Sequence, residues 1–215
     1  MLASADQDPR KAGTIWARNL DQNLPVIQPD CPAAFGRIGP ESASAIAAAM
    51  GPGSLPEVRK RFEAGRRCYA AWVGPYLASY GWVSYGEEMV GELNLRLRLV
   101  PGEAYVWDCA TLPAFRGQHL YSALLSTILR DLLAQPVCRV WIGADLENIA
   151  SQRGIARAGF HRVASLLVER VLAMRLVWAE GEPDIPDSWV AEARRVYLGN
   201  RDNVWLEAVS LAKGG

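Results

Sequence analysis

The stretch from residue 103 to residue 160 constrains the fold of this 215-residue chain more than any other. It predicts a strand that ends at Pro113, a turn at Arg116-Gly117, a long helix over residues 118–134, a buried strand over 137–144 and a second helix over 148–158. The long helix has an apolar stripe at helical spacing, as expected for a helix packed on a sheet. A strand, a long helix and a second strand in succession predict a right-handed crossover to a parallel neighbour.

The start of the long helix is a candidate phosphate site. A helix N-terminus presents unpaired N–H groups and the positive end of the helix dipole. Gly117 permits close approach of the backbone to a ligand, and the guanidinium of Arg116 suits phosphate oxygens. An ordinary tight turn with a solvated Arg116 is the alternative. The first interpretation favours a ligand that carries a pyrophosphate.

The remaining periodicity predicts a mixed fold of class α/β (α+β). A short strand is expected at residues 33–38. Strands at 68–73, 76–85, 93–99 and 104–112 are expected to be joined by short turns as an antiparallel meander, and one or two more are expected within 163–178. Helices are expected at 40–50, 57–64 and 187–198. Residues 1–30 are interpreted as a loosely attached arm with a short helix at 14–20, residues 31–180 as the main domain, and residues 181–215 as a C-terminal helical extension.

Composition narrows the function classes. Lys plus Arg and Asp plus Glu number 23 each, so the chain lacks the basic field that nucleic-acid binding requires. No apolar run reaches the length of a membrane span and the N-terminus lacks the apolar core of a signal peptide, so no membrane partner and a cytoplasmic location are expected. The cysteines lack CxxC spacing and are expected to be buried thiols, with no metal site (Cys31, Cys68, Cys109, Cys138).

Two motifs resemble those of the GNAT superfamily of acyl-CoA-dependent N-acyltransferases. The first is Thr111-Leu-Pro-Ala-Phe-Arg-Gly-Gln-His-Leu-Tyr-Ser-Ala-Leu-Leu125, and the second is Asn148-Ile-Ala-Ser-Gln-Arg-Gly-Ile-Ala-Arg-Ala-Gly-Phe160. The first is similar to the family's acyl-CoA motif, and the second to its later helix. The resemblance spans roughly residues 33–178 and implies a GNAT-like, mostly antiparallel sheet flanked by helices.

The resemblance implies acetyl-CoA, or another short acyl-CoA, as co-substrate. Backbone N–H groups of the first motif would hold the pyrophosphate, in a nest at the positive end of the helix (Arg116, Gly117, Gln118, His119, Leu120, Tyr121, Ser122). The strand that ends near residue 112 would splay from the one that starts near 137, leaving room for pantetheine. The thioester would lie beside backbone groups of Cys109, Ala110 and Thr111. Asn148 would reach coenzyme A or cap its helix, and both roles stay open.

The motifs depart from the family pattern at three positions. His119 and Tyr121 stand where the family usually has small residues, and His119 is interpreted as a residue of the surface or of the pocket rim rather than a base. Ile155 stands where many members have the tyrosine that protonates the leaving thiolate. Tyr121 and Tyr105 are the candidate substitutes, and unassisted departure of the thiolate is the alternative.

Asp108 is the best candidate for the general base. It follows Val106 and Trp107 on the strand that leads to the first motif, and apolar neighbours would raise its pKa into a useful range. A structural role in a hydrogen bond to a turn is the alternative. Glu103 and Glu92 are weaker candidates, and a water chain would need none of the three.

These features predict an enzyme that transfers an acetyl or short acyl group from acyl-CoA to an amine of a small molecule or peptide, directly and in a ternary complex. The alternative is a non-catalytic acyl-CoA-binding or interaction module of the same fold. Arg96 and Arg98 would favour a carboxylate-bearing acceptor if their strand lines the cleft, and otherwise form an exposed charged face. The C-terminal tail would cap the cleft or pair with a second subunit in a homodimer.

Overall fold

The computed structural model describes residues 10–20, 23–90, 95–171 and 174–207. The strands are β1 (Arg10–Asn19), β2 (Ala34–Ile38), β3 (Arg67–Val73), β4 (Tyr76–Ser84), β5 (Glu87–Val90), β6 (Leu95–Arg98), β7 (Glu103–Thr111), β8 (Arg139–Asp145), β9 (His161–Val171), β10 (Met174–Gly181) and β11 (Asn203–Glu207). The helices are α1 (Ala43–Met50), α2 (Leu55–Glu63), α3 (Leu120–Leu133), α4 (Ile149–Arg157) and α5 (Asp187–Leu198).

Nine strands form one sheet in the order β11-β10-β9-β1-β8-β7-β4-β3-β2. All neighbours are antiparallel except β7 and β8, which are parallel and joined through α3. The predicted mixed, mostly antiparallel sheet and the crossover to a parallel neighbour are therefore confirmed. Among the described elements, no helix is long and apolar enough to span a membrane.

Helices cover the two faces of the sheet. The stripe of α3 (Leu124, Leu125, Ile128, Leu129, Leu132) and Ile155 of α4 pack with Val106 of β7 and Ile142 of β8. On the other face, α1 and α2 pack near Trp82, while α5 packs against β6, β9 and β10. Burying apolar side chains on both faces is what holds such a three-layer arrangement together.

The first strand corrects the interpretation of the N-terminal segment. The short helix predicted for residues 14–20 is wrong, because β1 lies inside the sheet between β8 and β9. Ile15 faces the core under α5 and Trp16 faces the core under α3, so this strand is buried on both faces. A loosely attached arm is therefore also wrong for residues 10–19. The division of the chain at residues 30 and 180 stays a prediction.

The predicted meander is wrong at one place. β7 pairs directly with β4, whereas β6 pairs with β5 in a separate two-stranded hairpin. Leu95, Leu97 and Leu99 are buried, as the alternation predicts, but they pack under α5 instead of inside the main sheet. The tail contains β11 in addition to the predicted helix, and residues 208–215 lie outside the described part.

Candidate active site

The sheet splits between β7 and β8. Their parallel ladder joins Glu103–Val106 to Arg139–Ile142 and goes no further, although β7 continues to Thr111 and β8 to Asp145. Beyond the ladder each strand follows its other neighbour: Thr111 pairs with Ser79 of β4, and Asp145 pairs with Gly13 of β1. The expected splay is confirmed, and it opens the sheet at the carboxyl ends of two parallel strands.

A β-bulge lies on β7 at the split. Trp107 pairs with Trp82 and Ala110 pairs with Tyr80, so Asp108 and Cys109 together oppose Gly81. Asp108 has a φ of 42°, in the left-handed region that only a few non-glycine residue types adopt readily. The bulge turns the Asp108 carboxylate toward α2, while Cys109 packs on the α3 side. A change of side-chain direction at this point is what such bulges provide.

A cavity of about 670 Å³ passes through the split. One side, the donor wall, is formed by Cys109 and by residues of α3 and α4 and the turn before α4 (Tyr121, Asn148, Ser151). The opposite side, the acceptor wall, is formed by α2, the segment after it, the hairpin, β7 and α5 (Glu57, Arg61, Arg66, Glu88, Met89, Val90, Tyr105, Trp107, Asp108, Tyr197). The cavity therefore connects the two faces of the sheet.

The predicted cradle lies at the beginning of α3, beside the cavity. Gly117 and His119 have φ values of 78° and 56°, so the chain turns sharply before the helix starts. No side chain caps α3, which leaves its first N–H groups for a ligand or solvent. Arg116 is exposed, and its Nε donates to the carbonyl oxygen of Thr111 at 3.2 Å. The side chains of Leu120 and Ser122 are buried, so only their backbone could serve the cradle.

The structure brings together some of the predicted site residues and not others. Those that line the cavity are Tyr105, Asp108, Cys109, Tyr121 and Asn148; those that lie outside its lining are Ala110, Thr111, Arg116, Gly117, Gln118, His119, Leu120 and Ser122. Nδ1 of His119 lies 3.0 Å from Oδ1 of the Asp30 carboxylate, which accepts a hydrogen bond when Nδ1 is protonated, and the His119 side chain is 40% exposed. His119 is thus an exposed residue outside the cavity lining, and its surface or pocket-rim role stays a prediction.

The side chain of Tyr121 extends from α3 to the first turns of α4. Its hydroxyl lies 3.3 Å from Oγ of Ser151, and its ring packs where a Cβ at Gly154 would collide with it. Burial raises the pKa of the Tyr121 phenol above its ordinary value of 10.0, and the nearby Cys109 adds to the rise. Ile155 is fully buried under α3 and exposes nothing to the cavity. Tyr121 is thus the protonated hydroxyl on the donor wall.

Asn148 both caps α4 and lines the cavity. Its Oδ1 accepts a hydrogen bond from the backbone N–H of Ser151 at 3.0 Å. Capping of this kind satisfies one of the unpaired N–H groups of the first turn. The capping role is therefore present, while a contact with coenzyme A stays a prediction.

Asp108 forms an ion pair that the sequence did not predict. Nη1 of Arg61 donates to Oδ2 of Asp108, and Nε of Arg61 donates to Oε1 of Glu57 at 3.2 Å. The guanidinium carbon of Arg61 lies 4.5 Å from the ring centroid of Trp107 and 5.3 Å from that of Trp82. The purely apolar surroundings expected for Asp108 are wrong, because α2 brings a cation to it. The i, i+4 spacing of Glu57 and Arg61 was the available sequence signal.

Two tyrosines close the inner end of the acceptor wall. Tyr105 of β7 and Tyr197 of α5 have ring centroids 6.4 Å apart and meet edge to face. Both side chains are buried, and burial beside the Tyr105 hydroxyl raises the pKa of Tyr197 well above the ordinary value. Tyr197 could not be predicted from the sequence, because only the packing of α5 onto β9 and β10 brings it to the cavity.

The other acid and arginine candidates lie elsewhere. Glu103 is buried outside the cavity lining, where it accepts from Nε1 of Trp141 at 3.2 Å and pairs with Arg195. Arg96 and Arg98 are exposed and pair with Glu87 on the hairpin, so the exposed-face alternative holds. Glu92 lies outside the described residues.

The cysteines have different environments, and all four are free. Cys68 is buried as predicted, and burial raises its pKa to about 12. Cys138 is exposed, so the predicted burial is wrong there, because it lies in the loop just before β8. Among the described side chains, no group of three His, Cys, Asp or Glu residues is placed to hold a metal ion.

A mostly antiparallel sheet split between two parallel strands, with an uncapped helix starting beside the split, defines a class of acyl-CoA-dependent transferase folds. The chain belongs to the acetyltransferase (GNAT) family, whose sequence profile matches residues 53–160. The predicted family is therefore confirmed. The search of curated proteins found no match.

Solved structures share the fold at low sequence identity. An acetyltransferase of the GNAT family from Colwellia psychrerythraea is 16% identical, with 73% of this chain and 54% of that one covered and a TM-score of 0.50. A tandem GNAT protein from the clavulanic acid biosynthesis pathway is 19% identical, with coverages of 83% and 56% and a TM-score of 0.54. This chain thus spans about half the length of these two proteins.

A third similar structure is that of AAC(6')-Iy in complex with the bisubstrate analogue CoA-S-monomethyl-acetylneamine. It is 15% identical, with coverages of 66% and 95% and a TM-score of 0.51. At these identities the likeness shows the fold alone.

Proposed function

We propose that the chain is an N-acyltransferase that moves an acetyl or other short acyl group from acyl-CoA to an amine of a small molecule or peptide. The observation that carries this proposal is the cavity through the split sheet, because it gives two substrates access to one point from opposite faces. Direct transfer in a ternary complex requires such access, since both reactants must be bound together.

The acyl donor is assigned to the face of α3 and α4. The N–H groups at the start of α3 suit a pyrophosphate, since the residues before it turn sharply and no side chain caps it. The gap between β7 and β8 suits the narrow pantetheine arm, and the bulge suits the thioester. The bisubstrate analogue bound by the similar structure contains coenzyme A, which supports the proposal by analogy.

In the proposed step, the neutral amine nitrogen attacks the carbonyl carbon of the thioester and forms a C–N bond. The carbonyl oxygen carries the charge until the C–S bond breaks, and a backbone N–H of Cys109, Ala110 or Thr111 stabilises it. Asp108 accepts the proton lost by the amine, directly or through water. Tyr121, or else Tyr105, gives a proton to the departing thiolate.

The first experiment measures acetyl-CoA binding by calorimetry, followed by thiol release with a panel of amines. We expect micromolar binding and amine-dependent release of coenzyme A. Absence of binding would refute the proposal. Binding without turnover on any amine would instead support the non-catalytic acyl-CoA-binding module.

The cradle is tested by a matched pair of glycine substitutions. Gly117 and Gly53 have φ values of 78° and 82°, and a Cβ at either would meet no atom within 4 Å. Gly117→Ala and Gly53→Ala therefore impose similar backbone strain of about 1 kcal/mol. We expect only Gly117→Ala to weaken acetyl-CoA binding, by about tenfold or 1.4 kcal/mol. Equal affinities of the two variants would remove this turn from the site.

A further inference from the structure

The acceptor wall carries more negative than positive charge. The described residues that line the cavity include four carboxylates (Glu57, Glu88, Asp108, Asp145) and two guanidiniums (Arg61, Arg66), for a formal charge of −2. Three of the carboxylates and both guanidiniums belong to the acceptor wall. A cleft of one sign with low-dielectric walls favours ligands of the opposite sign.

Both guanidiniums are already engaged by carboxylates. Arg66 donates two hydrogen bonds to Glu88, from Nε at 2.6 Å and from Nη2 at 2.9 Å. Arg61 donates to Glu57 and Asp108 and is only 9% exposed, since it lies against two tryptophan rings. A carboxylate on the acceptor would therefore have to displace an existing ion pair, and it would meet net negative charge.

The carboxylates remain accessible to a cation. The side chain of Asp108 is 32% exposed and that of Glu57 is 54% exposed. Arg61 binds Asp108 through Oδ2, which leaves Oδ1 directed away from that bond. Arg61 lies between these two carboxylates, so an ammonium group on the cavity side of Arg61 would form charge-assisted hydrogen bonds with their exposed parts, at the position from which the amine must attack.

The rest of the acceptor wall is apolar and aromatic. Trp107, Tyr105 and Tyr197 line it together with Met89 and Val90 of the hairpin, and Leu166 of β9 also lines the cavity. Met89 is 42% exposed, although it is a large apolar side chain. Such surfaces bind apolar bodies through area removed from water, and the tryptophan face adds attraction for a cation.

We propose that the acceptor is a primary amine on an aromatic or apolar body without a carboxylate beside the nitrogen, with its ammonium bound by Asp108 and Glu57 on the cavity side of the Arg61 guanidinium. This inference rests on the proposed function and names the substrate class of the same site. It replaces the carboxylate-bearing acceptor suggested by Arg96 and Arg98, which lie on the exposed side of the hairpin.

The test compares three amines by calorimetry, with and without desulfo-coenzyme A. 2-Phenylethylamine carries the proposed features, phenylalanine adds a carboxylate to the same body, and glucosamine keeps the ammonium without the apolar body. We expect 2-phenylethylamine to bind at least about tenfold more tightly than either of the other two. The carboxylate of phenylalanine would meet like charge in the cavity, and glucosamine would lack the apolar contact. Equal or tighter binding of phenylalanine or glucosamine would overturn the inference, as would no binding of 2-phenylethylamine.

This readout separates the inference from the proposed function, because binding of the amine does not depend on turnover. If acetyl-CoA fails to bind while the amines rank as expected, the acyltransferase proposal fails and the amine site stands. If acetyl-CoA binds and amines are acylated in the opposite order, only the inference fails.

Two variants locate the ammonium. Glu57→Gln removes one carboxylate from the acceptor wall, and we expect it to weaken 2-phenylethylamine binding by roughly threefold, as for a half-exposed charge pair. Glu63→Gln removes an exposed carboxylate from the same helix outside the cavity lining and is expected to leave the affinity unchanged. Equal effects of the two substitutions would contradict binding at Glu57.

Discussion

At the scale of single residues, Tyr121 is the proposed replacement for a missing proton donor, and it comes from a different helix. Its hydroxyl reaches Ser151 of α4, whereas Ile155 of α4 is buried in the core. The pKa of Tyr121 is raised by burial, so the phenol keeps its proton over the whole range in which amines are acylated. A proton donor with this property suits a leaving thiolate that would otherwise depart unassisted.

We predict that Tyr121→Phe lowers kcat by about 100-fold, the lower range for loss of a general acid, with little change in acetyl-CoA affinity. The phenol is protonated below its folded-state pKa, which lies above 10.0, so the wild-type kcat profile should show no descending limb from Tyr121 below that pH. Steady-state kinetics from pH 6 to about 10 measure the loss of kcat in the variant and the shape of the wild-type pH profile.

Tyr105→Phe is the matched comparison, since Tyr105 is the other tyrosine proposed as the acid and is 6% exposed. If Tyr105→Phe lowers kcat and Tyr121→Phe does not, the acid lies on the acceptor wall. If neither does, the thiolate leaves without a tyrosine.

Asp108 combines a candidate chemical role with an unusual backbone conformation, so its substitutions need a control for strain. At a φ of 42°, Asn is tolerated about as well as Asp, whereas Ala is strained. We predict that Asp108→Asn and Asp108→Ala both lower kcat/KM by about 100-fold through loss of the base. Asp108→Ala should also have a free energy of unfolding about 1 kcal/mol lower than that of Asp108→Asn, because Ala is strained at this φ.

Chemical denaturation and steady-state kinetics on the two variants separate these effects. Full activity of Asp108→Asn would remove Asp108 from the mechanism and leave its pairing with Arg61 as a structural feature.

At the scale of elements, one buried carboxylate links the hairpin of β5 and β6 to β4 and to the segment after α2. Glu88 is 4% exposed and accepts hydrogen bonds from Arg66, from Oγ of Ser84 at 2.5 Å and from the N–H of Met89 at 3.0 Å. Burial alone would raise the pKa of Glu88, but the hydrogen bonds from Arg66 and Ser84 outweigh it and lower the pKa below the ordinary value of 4.5. Because the hairpin supplies Met89 and Val90, this carboxylate also holds part of the acceptor wall.

We predict that Glu88→Gln costs about 2–3 kcal/mol of unfolding free energy at pH 7, since it removes the charge that Arg66 pairs with. A lowered folded-state pKa means that the stabilisation is complete above 4.5 and is lost as the pH falls through the folded-state value. The difference between wild type and variant should therefore shrink below pH 4.5. Denaturant titrations at several pH values measure it, with Glu87→Gln, 58% exposed, as the control.

Elements with strong local periodicity could be predicted from the sequence. The apolar stripe of α3 and the buried run of β8 lie where expected, and the crossover between them was predicted because a strand, a helix and a strand leave few arrangements. Gly117 and Asn148 indicated where α3 and α4 begin, because a turn glycine and a helix-capping residue act on the backbone next to them in the sequence. The pairing of strands that are distant in the sequence could not be predicted. The hairpin lies outside the expected meander, because β7 takes the place beside β4.

The site divides in the same way. The bulge at Asp108 and the start of α3 belong to one continuous motif, so their neighbourhood could be inferred. Arg61 and Tyr197 reach the cavity from α2 and α5, and no local pattern indicates that the folded chain will bring them there.

At the scale of the whole molecule, the N-terminal strand holds the two halves of the sheet together. β1 lies between β8 and β9 and pairs with both, so it joins the crossover from β7 through α3 to β8 with the strands β9, β10 and β11. It also sets one edge of the cavity, because β8 stays with β1 through Asp145 after it leaves β7 at Ile142. The split between β7 and β8 therefore depends on a segment that lies outside the matched family region.

We predict that Ile15→Ala destabilises the whole protein by about 2–5 kcal/mol, because it opens a cavity in a fully packed core. Ile15 is fully buried and pairs with Gly143 on one side and Ala164 on the other, so loss of its packing weakens the junction between β8 and β9. Val26→Ala is the control, since Val26 is 64% exposed and its truncation should change stability by less than about 0.5 kcal/mol. Equilibrium denaturation followed by tryptophan fluorescence measures both. A loosely attached N-terminal segment would instead give two equally small effects, and that result would contradict the central position of β1.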